Sequence, residues 1–319
     1  MRPVLLLSVS LPLLLGGCGE KSSPEGSKST IENQTTPSEE VKPQEPDTET
    51  KPADAVFVNP NLKYEIKGAA VTITGCDEKI SGDLLIPATI EGKPVTNIGN
   101  FAFGGSENLT SITIPTSVSS IGNQAFVLCA NLTSITIPDS VTSIGSGCFY
   151  YCNSLTSITI PDSITSIGED AFAECSSLTN ITIPDGVTRL GAGVFFRCTS
   201  LTNITIGSSV TSIEAKAFME CTSLTSITIP DSVTSIGTSA FAECSSLTSI
   251  SIPDNVTSIG WWAFRDCSSL ATVTFLGYAP EVVGEPFNAS PATIYRKPEA
   301  KGWGDTIGGR PVKMISEKP

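Results

Sequence analysis

Apolar side chains recur along this chain with a fixed interval of 23 residues. The first full unit covers residues 109–131, and six further copies follow without a gap to residue 269. In the first unit the apolar positions are Leu109, Ile112, Ile114, Val118, Ile121, Phe126 and Cys129. Because self-similarity at a period of about 20 to 50 residues is the signature of a stacked repeat, the pattern predicts a solenoid of seven full coils.

Each coil is predicted to contain three short pieces. Ile112 and Ile114 alternate with polar residues, which predicts a strand, and the proline that follows ends it because proline cannot donate to a ladder. V-x-x-I-G at 118–122 predicts a second extended piece, and A-F-x-x-C at 125–129 has the spacing of one helical turn. Since one coil leaves its apolar faces open, neighbouring coils must cover them by pairing parallel strands about 4.8 Å apart.

The flanks of the array are predicted to cap it. Residues 55–108 are interpreted as an N-terminal cap with a degenerate repeat, in which Ile98, Phe103 and Ser106 take the Ile, Phe and Cys positions. Residues 270–319 begin as a coil and then depart into a segment rich in Gly and Pro. We therefore expect a C-terminal partial repeat followed by a cap.

The N-terminus carries the pattern of an export signal. Arg2 precedes an apolar run at 4–15, which has the length of a signal-peptide core and is too short to span a bilayer. The sequence L-G-G-C at 15–18 resembles a bacterial lipobox, which implies a signal peptide over residues 1–17 and a lipid anchor on Cys18. The alternative is an incidental Cys18 beside an ordinary cleavage site, although no A-x-A-like site lies nearby.

Residues 18–54 are rich in Ser, Thr, Pro, Glu and Lys and almost lack large apolar side chains. Such a composition cannot offset the entropy of ordering the chain, so we expect a disordered tether that links the solenoid to the lipid. In the lipoprotein family that the motif resembles, Gly rather than Asp at the second mature position, here Gly19, implies the outer membrane. We expect an exported protein anchored to the cell envelope and displayed at the surface.

Charge and composition exclude several classes of function. The chain has 19 basic and 32 acidic residues, a net charge of -13, which opposes binding to nucleic acid. Histidine is absent, so Ser/His/Asp and Cys/His catalysis and His metal ligands are excluded. We expect no enzyme, no cofactor and no metal site. The alternative is a hydrolase in the C-terminal segment, for which the carboxylates available are Glu281, Glu285, Glu299 and Asp305.

The residues resemble one family of repeats. The pattern L-x-x-I-x-I-P-x-x-V-x-x-I-G-x-x-A-F-x-x-C is nearly complete at 132–152 and 224–244, and it is similar to the BspA-like, treponemal-type leucine-rich repeat. The resemblance covers nearly all of residues 84–275. It implies a right-handed, curved leucine-rich repeat solenoid with parallel strands, and a family of bacterial surface proteins that bind host or neighbouring-cell proteins.

Seven cysteines recur at the same inward position of the coil, and we interpret them as a buried ladder of free thiols. The members are Cys129, Cys152, Cys175, Cys198, Cys221, Cys244 and Cys267. Disulfides between coils are the alternative, since stacked Cα atoms are close enough, but parallel inward Cβ vectors give the wrong geometry. A metal pair at Cys148 and Cys152 would lack the other two ligands of a tetrahedral site.

Two polar rows repeat with the coils. The outward strand positions hold Ser, Thr or Asn, as at Ser111 and Thr113, which suits either a scaffold of strand-forming residues or a platform for glycan or peptide. An Asp follows the proline in five coils, beginning with Asp139 and ending with Asp254, and it suits either a turn or bridging calcium. We favour the scaffold and the turn.

Recognition is predicted at the positions that differ between coils, the two before A-F and the two after it. The aromatic side chains there are Tyr150, Tyr151, Phe196, Trp261 and Trp262. Trp and Tyr are enriched at binding hot spots, although these side chains could instead pack on neighbouring coils. We expect a monomer that binds a protein ligand through its surface and the membrane through Cys18. The alternative is an envelope scaffold or spacer without a specific extracellular ligand.

Overall fold

The protein is described here by a computed structural model that covers residues 59–77 and 80–317. These residues belong to one compact unit, Asp54–Pro319. The predicted signal peptide at 1–17, the anchor at Cys18 and the tether at 18–54 lie outside the described residues.

The N-terminal cap is built on a hairpin. β1 (Leu62–Lys67) pairs antiparallel with β2 (Ala70–Cys76), and β2 pairs in parallel with β5 (Lys93–Ile98). Between β2 and β5 in the chain lie β3 (Gly82–Leu85) and β4 (Thr89–Ile90), and β4 forms an antiparallel pair with β5. The cap therefore joins an antiparallel hairpin to the parallel pairing that the repeats continue.

The repeats stack as a parallel β-solenoid of about ten coils with almost no helix. The elements that follow the cap are, in chain order, β6 (Leu109–Thr113), β7 (Ser120–Ile121), β8 (Ser134–Thr136), β9 (Ser143–Ile144), β10 (Ser166–Ile167), β11 (Asn180–Thr182), β12 (Arg189–Leu190), β13 (Asn203–Thr205), β14 (Ser212–Ile213), β15 (Ser235–Ile236), β16 (Ser249–Ile252), β17 (Ser258–Ile259), β18 (Thr272–Phe275), β19 (Glu281–Val282), β20 (Thr293–Arg296), β21 (Thr306–Ile307), β22 (Arg310–Met314) and a 3₁₀ helix, Ile315–Glu317.

These strands form two columns, and the strands of each column pair one repeat apart. The first column holds the I-x-I strands, in which Ile112 lies opposite Ile135. The second column holds the V-x-x-I-G strands. The first column is divided into three sheets, because two coils contribute only single bridges there, at Ser157 and Thr228. Both extended pieces predicted from the sequence are confirmed, but the first is shorter than expected in these two coils.

The core is a file of identical side chains. Nine phenylalanine rings stack with centroids 5.1–5.7 Å apart and planes within 19° of parallel. They are Phe103, Phe126, Phe149, Phe172, Phe195, Phe218, Phe241, Phe264 and Phe287. Every ring is completely buried, and the seven rings between Phe103 and Phe287 each lie between two copies of themselves, so the same side chain fits each coil.

The cysteine ladder runs beside the phenylalanine file. Each of the seven thiols is buried and free, and each donates a hydrogen bond of 3.0–3.2 Å to the phenylalanine carbonyl oxygen 26 residues earlier. Ser106 and Ser290 take the same position at the two ends, and Ser290 donates to the carbonyl oxygen of Phe264. The thiols therefore satisfy carbonyl groups inside the core, as the interpretation of a buried ladder requires.

The A-F-x-x-C stretch is not the helical turn that its spacing predicts. Alternate N–H groups donate to the next coil: those of Gln124, Phe126 and Leu128 reach carbonyl oxygens 22 residues later, at 2.8–2.9 Å. The N–H groups of Val127 and Cys129 donate within the turn, to the carbonyl oxygens three residues earlier, at 3.2 and 3.3 Å. Gln124 and Leu128 have φ values of 55° and 61°, so the backbone reverses its curvature twice within five residues. Within residues 59–77 and 80–317, no helix is long and apolar enough to cross a membrane.

The array continues further than the sequence pattern predicts. We expected the C-terminal segment to depart from the repeat after its first strand. The structure shows another coil, in which β19 pairs with β17 and Phe287 stacks on Phe264 at 5.4 Å. The repeat is hard to recognise there because Val282, Phe287 and Ser290 keep the 23-residue interval while the residues between them have changed.

One junction between coils is open in the second column, and we call it the seam. β10 and β12 do not pair, and in this part of the structure the amide N–H groups of Thr188 and Gly191 donate no hydrogen bond to the preceding coil. The rings of Phe172 and Phe195, which face each other across the seam, have the widest separation of the stack, 5.7 Å. A leucine, Leu190, stands here where the neighbouring coils have isoleucine, and the unbranched Cβ of leucine suits a strand less well.

Candidate functional site

The positions that vary between coils lie together along one side of the solenoid. We call this surface the turn edge and define it as the two residues before and the two after the Ala-Phe pair of each coil. In the first full coil these residues are Asn123, Gln124, Val127 and Leu128. The buried Ala-Phe pair fixes the backbone, and the flanking side chains therefore project from a rigid base.

The turn edge requires left-handed backbone at two positions in every coil. Gly147 and Gly193 occupy the first of these with φ values of 58° and 62°, which cost glycine nothing. Trp262 occupies the same position with a φ of 57°. A side chain other than glycine costs roughly 1–2 kcal/mol relative to the right-handed form. Trp262 shares this cost with Gln124, Asp170, Lys216 and Ser239 at the same position of other coils.

Trp261 and Trp262 are exposed, to 45% and 39%, and lie at the mouth of an open hollow of about 620 Å³. Their rings are nearly perpendicular, at 83°, with centroids 5.6 Å apart. We call this feature the Trp hollow. Its lining is formed by Trp261, Trp262, Arg265, Asp266, Gly284, Glu285 and Asn288.

Neighbouring groups hold both indoles in place. Trp261 lies directly over Gly284, where a Cβ atom would stand only 2.5 Å from the indole, so glycine makes room for the ring. The guanidinium of Arg265 lies 5.5 Å from the centroid of the Trp262 ring, a cation–π distance, and its Nε donates to Asp266 at 2.7 Å. The rings are therefore arranged by the fold before any partner arrives.

Two carboxylates face the hollow, but only one of them is paired with a cation. Asp266 is bound by Arg265. Glu285 accepts a hydrogen bond of 2.7 Å from the amide of Asn288, and no basic side chain of the described residues forms an ion pair with it. The hollow therefore carries one net negative charge next to two exposed indoles.

A second pair of hollows surrounds Tyr150. They measure about 370 and 420 Å³, and both are lined by Tyr150 and Asp170, while Phe196 and Lys216 line only the larger one. The Asp170 carboxylate lies over Gly193, where an added Cβ would collide with its Oδ1. Burial of the carboxylate is the main cause that raises the pKa of Asp170, and the nearby negative charge of Glu169 raises it further.

Arg197 links three coils beside these hollows. Its guanidinium bridges Glu174 at 3.2 Å and Glu220 at 2.7 Å, one coil away on either side, and it lies 5.1 Å from the ring centroid of Phe196. Tyr151 is 40% exposed on the same row. Each of the two bridged carboxylates has Arg197 as its cationic partner, whereas Glu285 in the Trp hollow has only an amide partner.

The sequence-predicted aromatic residues thus fall into two groups. Trp261 and Trp262 share one hollow, and Tyr150 and Phe196 share another. Tyr151 lies next to Tyr150, with ring centroids 6.1 Å apart. None of the five belongs to the buried core.

The other two polar rows are plain surface. In the seven full coils, the Ser, Thr and Asn side chains of the first column are exposed, except for the half-buried Ser111, which donates to Asp83. The Asp row is exposed as well, and the backbone and hydroxyl of Ser208 lower the pKa of Asp185 by hydrogen bonding. In residues 59–77 and 80–317, no group of three or more His, Cys, Asp or Glu side chains is placed to hold a metal ion.

The sequence analysis missed the groups that complete the Trp hollow. Glu285 was considered only as a hydrolase carboxylate, and Gly284 and Asn288 were not considered at all. All three lie 23 residues after members of the turn edge, counted from Trp261, Trp262 and Arg265. The signal was therefore present, but it required the repeat register to be extended past residue 269.

Comparison with known proteins identifies the repeat. The model of the BspA type leucine-rich repeat region matches residues 87–199 and 165–290. A search of curated proteins found no match. Among solved structures, a leucine rich cell surface protein from Faecalibacterium prausnitzii A2-165 is 31% identical, with a TM-score of 0.57 over 77% of this chain and 75% of that one.

Two further structures agree. A leucine-rich repeat protein from Bacteroides ovatus ATCC 8483 is 28% identical, with a TM-score of 0.63 over 82% of this chain and 77% of that one. The T. pallidum leucine rich repeat protein is 28% identical, with a TM-score of 0.55 over 60% of this chain and 90% of that one. The family match spans more than half of the sequence. The chain is therefore a member of the BspA type leucine-rich repeat family.

Proposed function

We propose that this chain is a non-enzymatic surface lipoprotein that binds another protein through its turn edge. The observation that carries the proposal is the contrast between a uniform scaffold and an edge that holds two exposed, pre-arranged indoles. Exposed aromatic side chains in a hollow are the usual anchors of protein interfaces. Residues outside such an anchor supply shape rather than energy, so binding spread over several coils remains centred on the Trp hollow.

The location follows from two further observations. The Faecalibacterium prausnitzii relative is described as a cell surface protein. The L-G-G-C motif at 15–18 supports lipid attachment at Cys18, and the polar stretch that follows, 19–54, has a composition suited to holding the solenoid away from the lipid.

The competing proposal is an envelope spacer that uses the solenoid only for its length. The uniform first column supports it, because that surface repeats without variation, as a scaffold does. The two proposals differ in which residues contact another protein. A spacer needs no adducts at the turn edge, whereas a receptor or adhesin concentrates them there.

Site-specific photo-crosslinking on intact cells tests the proposal. We place benzoylphenylalanine at Trp262 or Tyr151 on the turn edge and, as the matched control, at the exposed Thr136 of the first column. We expect discrete protein adducts from the first two positions and none from Thr136. Protease treatment of the same intact cells should remove residues 55–319, because the domain is outside the envelope.

Two outcomes would count against the proposal. Equal adducts at Thr136 and at the turn edge would indicate unspecific crowding. Protection of the domain until the envelope is opened, with no adducts at either surface, would support the internal spacer.

A further inference from the structure

We propose that the Trp hollow binds the cationic side chain of a lysine or arginine presented by the partner protein. This inference rests on the proposed protein-binding function and adds the chemistry of the side chain that the hollow selects. The occupant of the hollow is thus a basic segment of a protein.

The indoles provide the first argument. Two rings at 83° enclose a corner, and both are more than one third exposed, so an entering group meets aromatic surface on two sides. A cation close to an indole face is attracted by the ring quadrupole, and Trp is the best aromatic partner for it. Arg265 shows this attraction within the molecule, since its guanidinium already lies over Trp262. Among the described residues, none places a cation over the ring of Trp261, which is therefore available to an incoming cation.

Charge provides the second argument. Asp266 is paired with Arg265, whereas Glu285 has only the neutral amide of Asn288. An incoming ammonium or guanidinium would complete the set of two carboxylates and two cations. Beyond the hollow, the chain carries a net charge of -13, which steers basic partners towards it.

The same geometry disfavours two other occupants. A neutral sugar ring would leave the Glu285 carboxylate without a counter-cation, and Arg265 already covers part of the Trp262 face on which a sugar could stack. An apolar side chain would remove water from the Glu285 carboxylate without replacing its hydrogen bonds. In the larger hollow beside Tyr150, the positive charge of Lys216 acts on Asp170 and opposes the entry of a second cation.

The test measures binding of hexalysine to the full chain by calorimetry at physiological ionic strength. The reference probe is the same peptide with all side-chain amines acetylated, which keeps the stems and removes the charge. The variants are Glu285→Gln and Trp261→Leu. The matched control is Glu169→Gln, which loses the same charge at the equivalent edge position four repeats before Trp261.

We expect hexalysine to bind at least tenfold more tightly than its acetylated form. Glu285→Gln and Trp261→Leu should each weaken hexalysine binding at least fivefold, and Glu169→Gln less than twofold. Since Trp261 and Glu285 are exposed, both variants should keep the circular dichroism spectrum and the urea midpoint of the parent chain.

Three results would overturn the inference. Equal weakening by Glu285→Gln and Glu169→Gln would mean general attraction to an acidic surface. Equal affinity for the acetylated peptide would remove the role of charge, and displacement of hexalysine by neutral chitohexaose would assign the hollow to sugars. These results leave the photo-crosslinking test untouched. Adducts at Trp262 without lysine selectivity would defeat only the inference, and lysine selectivity without adducts would defeat only the proposed function.

Discussion

The interior of the coil and its turn edge share one backbone but follow opposite rules. Inside, the same ring recurs in nine coils, because each ring packs on copies of itself. At the edge, the first left-handed position changes from coil to coil. From Gln124 to Trp262 it holds Gln, Gly, Asp, Gly, Lys, Ser and Trp. Since the backbone accepts all of these, folding does not select the edge residues, and their differences are free to serve recognition.

The largest effect that we expect for the interior is a loss of stability at alkaline pH. Burial raises the pKa of Cys129, Cys175 and Cys267 to about 12, well above the usual value for a thiol. Between about pH 9 and 12 the unfolded chain loses thiol protons that the folded chain keeps. The free energy of unfolding should therefore fall by about 1.4 kcal/mol per pH unit for each buried thiol, and it should gain no thiol contribution below pH 9.

Urea denaturation at a series of pH values measures this slope. Replacing one ladder cysteine, Cys175→Ala, should make the slope shallower by about 1.4 kcal/mol per pH unit. A slope that does not change in the variant would show that the ladder does not control alkaline unfolding.

Two adjacent phenylalanines give a more direct comparison. Phe195 is completely buried in the file of rings, and Phe196 is half-buried on the turn edge. Phe195→Ala should lower the free energy of unfolding by about 3–5 kcal/mol, because it leaves a cavity between two rings. Phe196→Ala should lower the free energy of unfolding by only about 1 kcal/mol, because this ring is half-buried. Urea denaturation checks both, and similar losses would contradict the division between interior and edge.

The smallest expected effect concerns the seam, where the strands of neighbouring coils do not pair in the second column. Thr188 and Gly191 should exchange amide hydrogen with solvent faster than Thr211 and Gly237, whose N–H groups donate to the preceding coil at 2.8 and 2.7 Å. Leu190→Ile should slow that exchange and raise the free energy of unfolding by up to about 1 kcal/mol, because isoleucine suits the strand.

The reverse change in the next coil, Ile213→Leu, is the matched control. It should speed exchange at Glu214, whose N–H donates to Leu190 at 2.9 Å, and lower the free energy of unfolding by a similar amount. If both substitutions leave exchange unchanged, the seam has another cause than the side chain at this position.

The sequence predicts the interior well because periodicity records packing. The apolar positions that recur at 23 residues, such as Phe126 and Cys129, are buried in the structure, and Ile204 is partly buried. It predicts the edge less well, because alternation and spacing say nothing of left-handed backbone at Gln124 or Leu128. The sequence pattern predicts Trp261 and Trp262 as part of the Trp hollow, but it does not predict Glu285 and Asn288. These two residues belong to a coil in which most other positions differ from the repeat.

The hairpin of the N-terminal cap protects the end of the solenoid against pairing with a second chain. A stack of parallel strands ends in unpaired N–H and C=O groups, which offer a template for another chain. Here β2 covers the first parallel strand of the second column, and β1 presents Lys63, Glu65 and Lys67 along the outer edge. At the other end of the chain, β21 turns back antiparallel on β22. Both ends thus discourage end-to-end growth into fibres, which is a hazard for any chain that repeats its own interface along an axis.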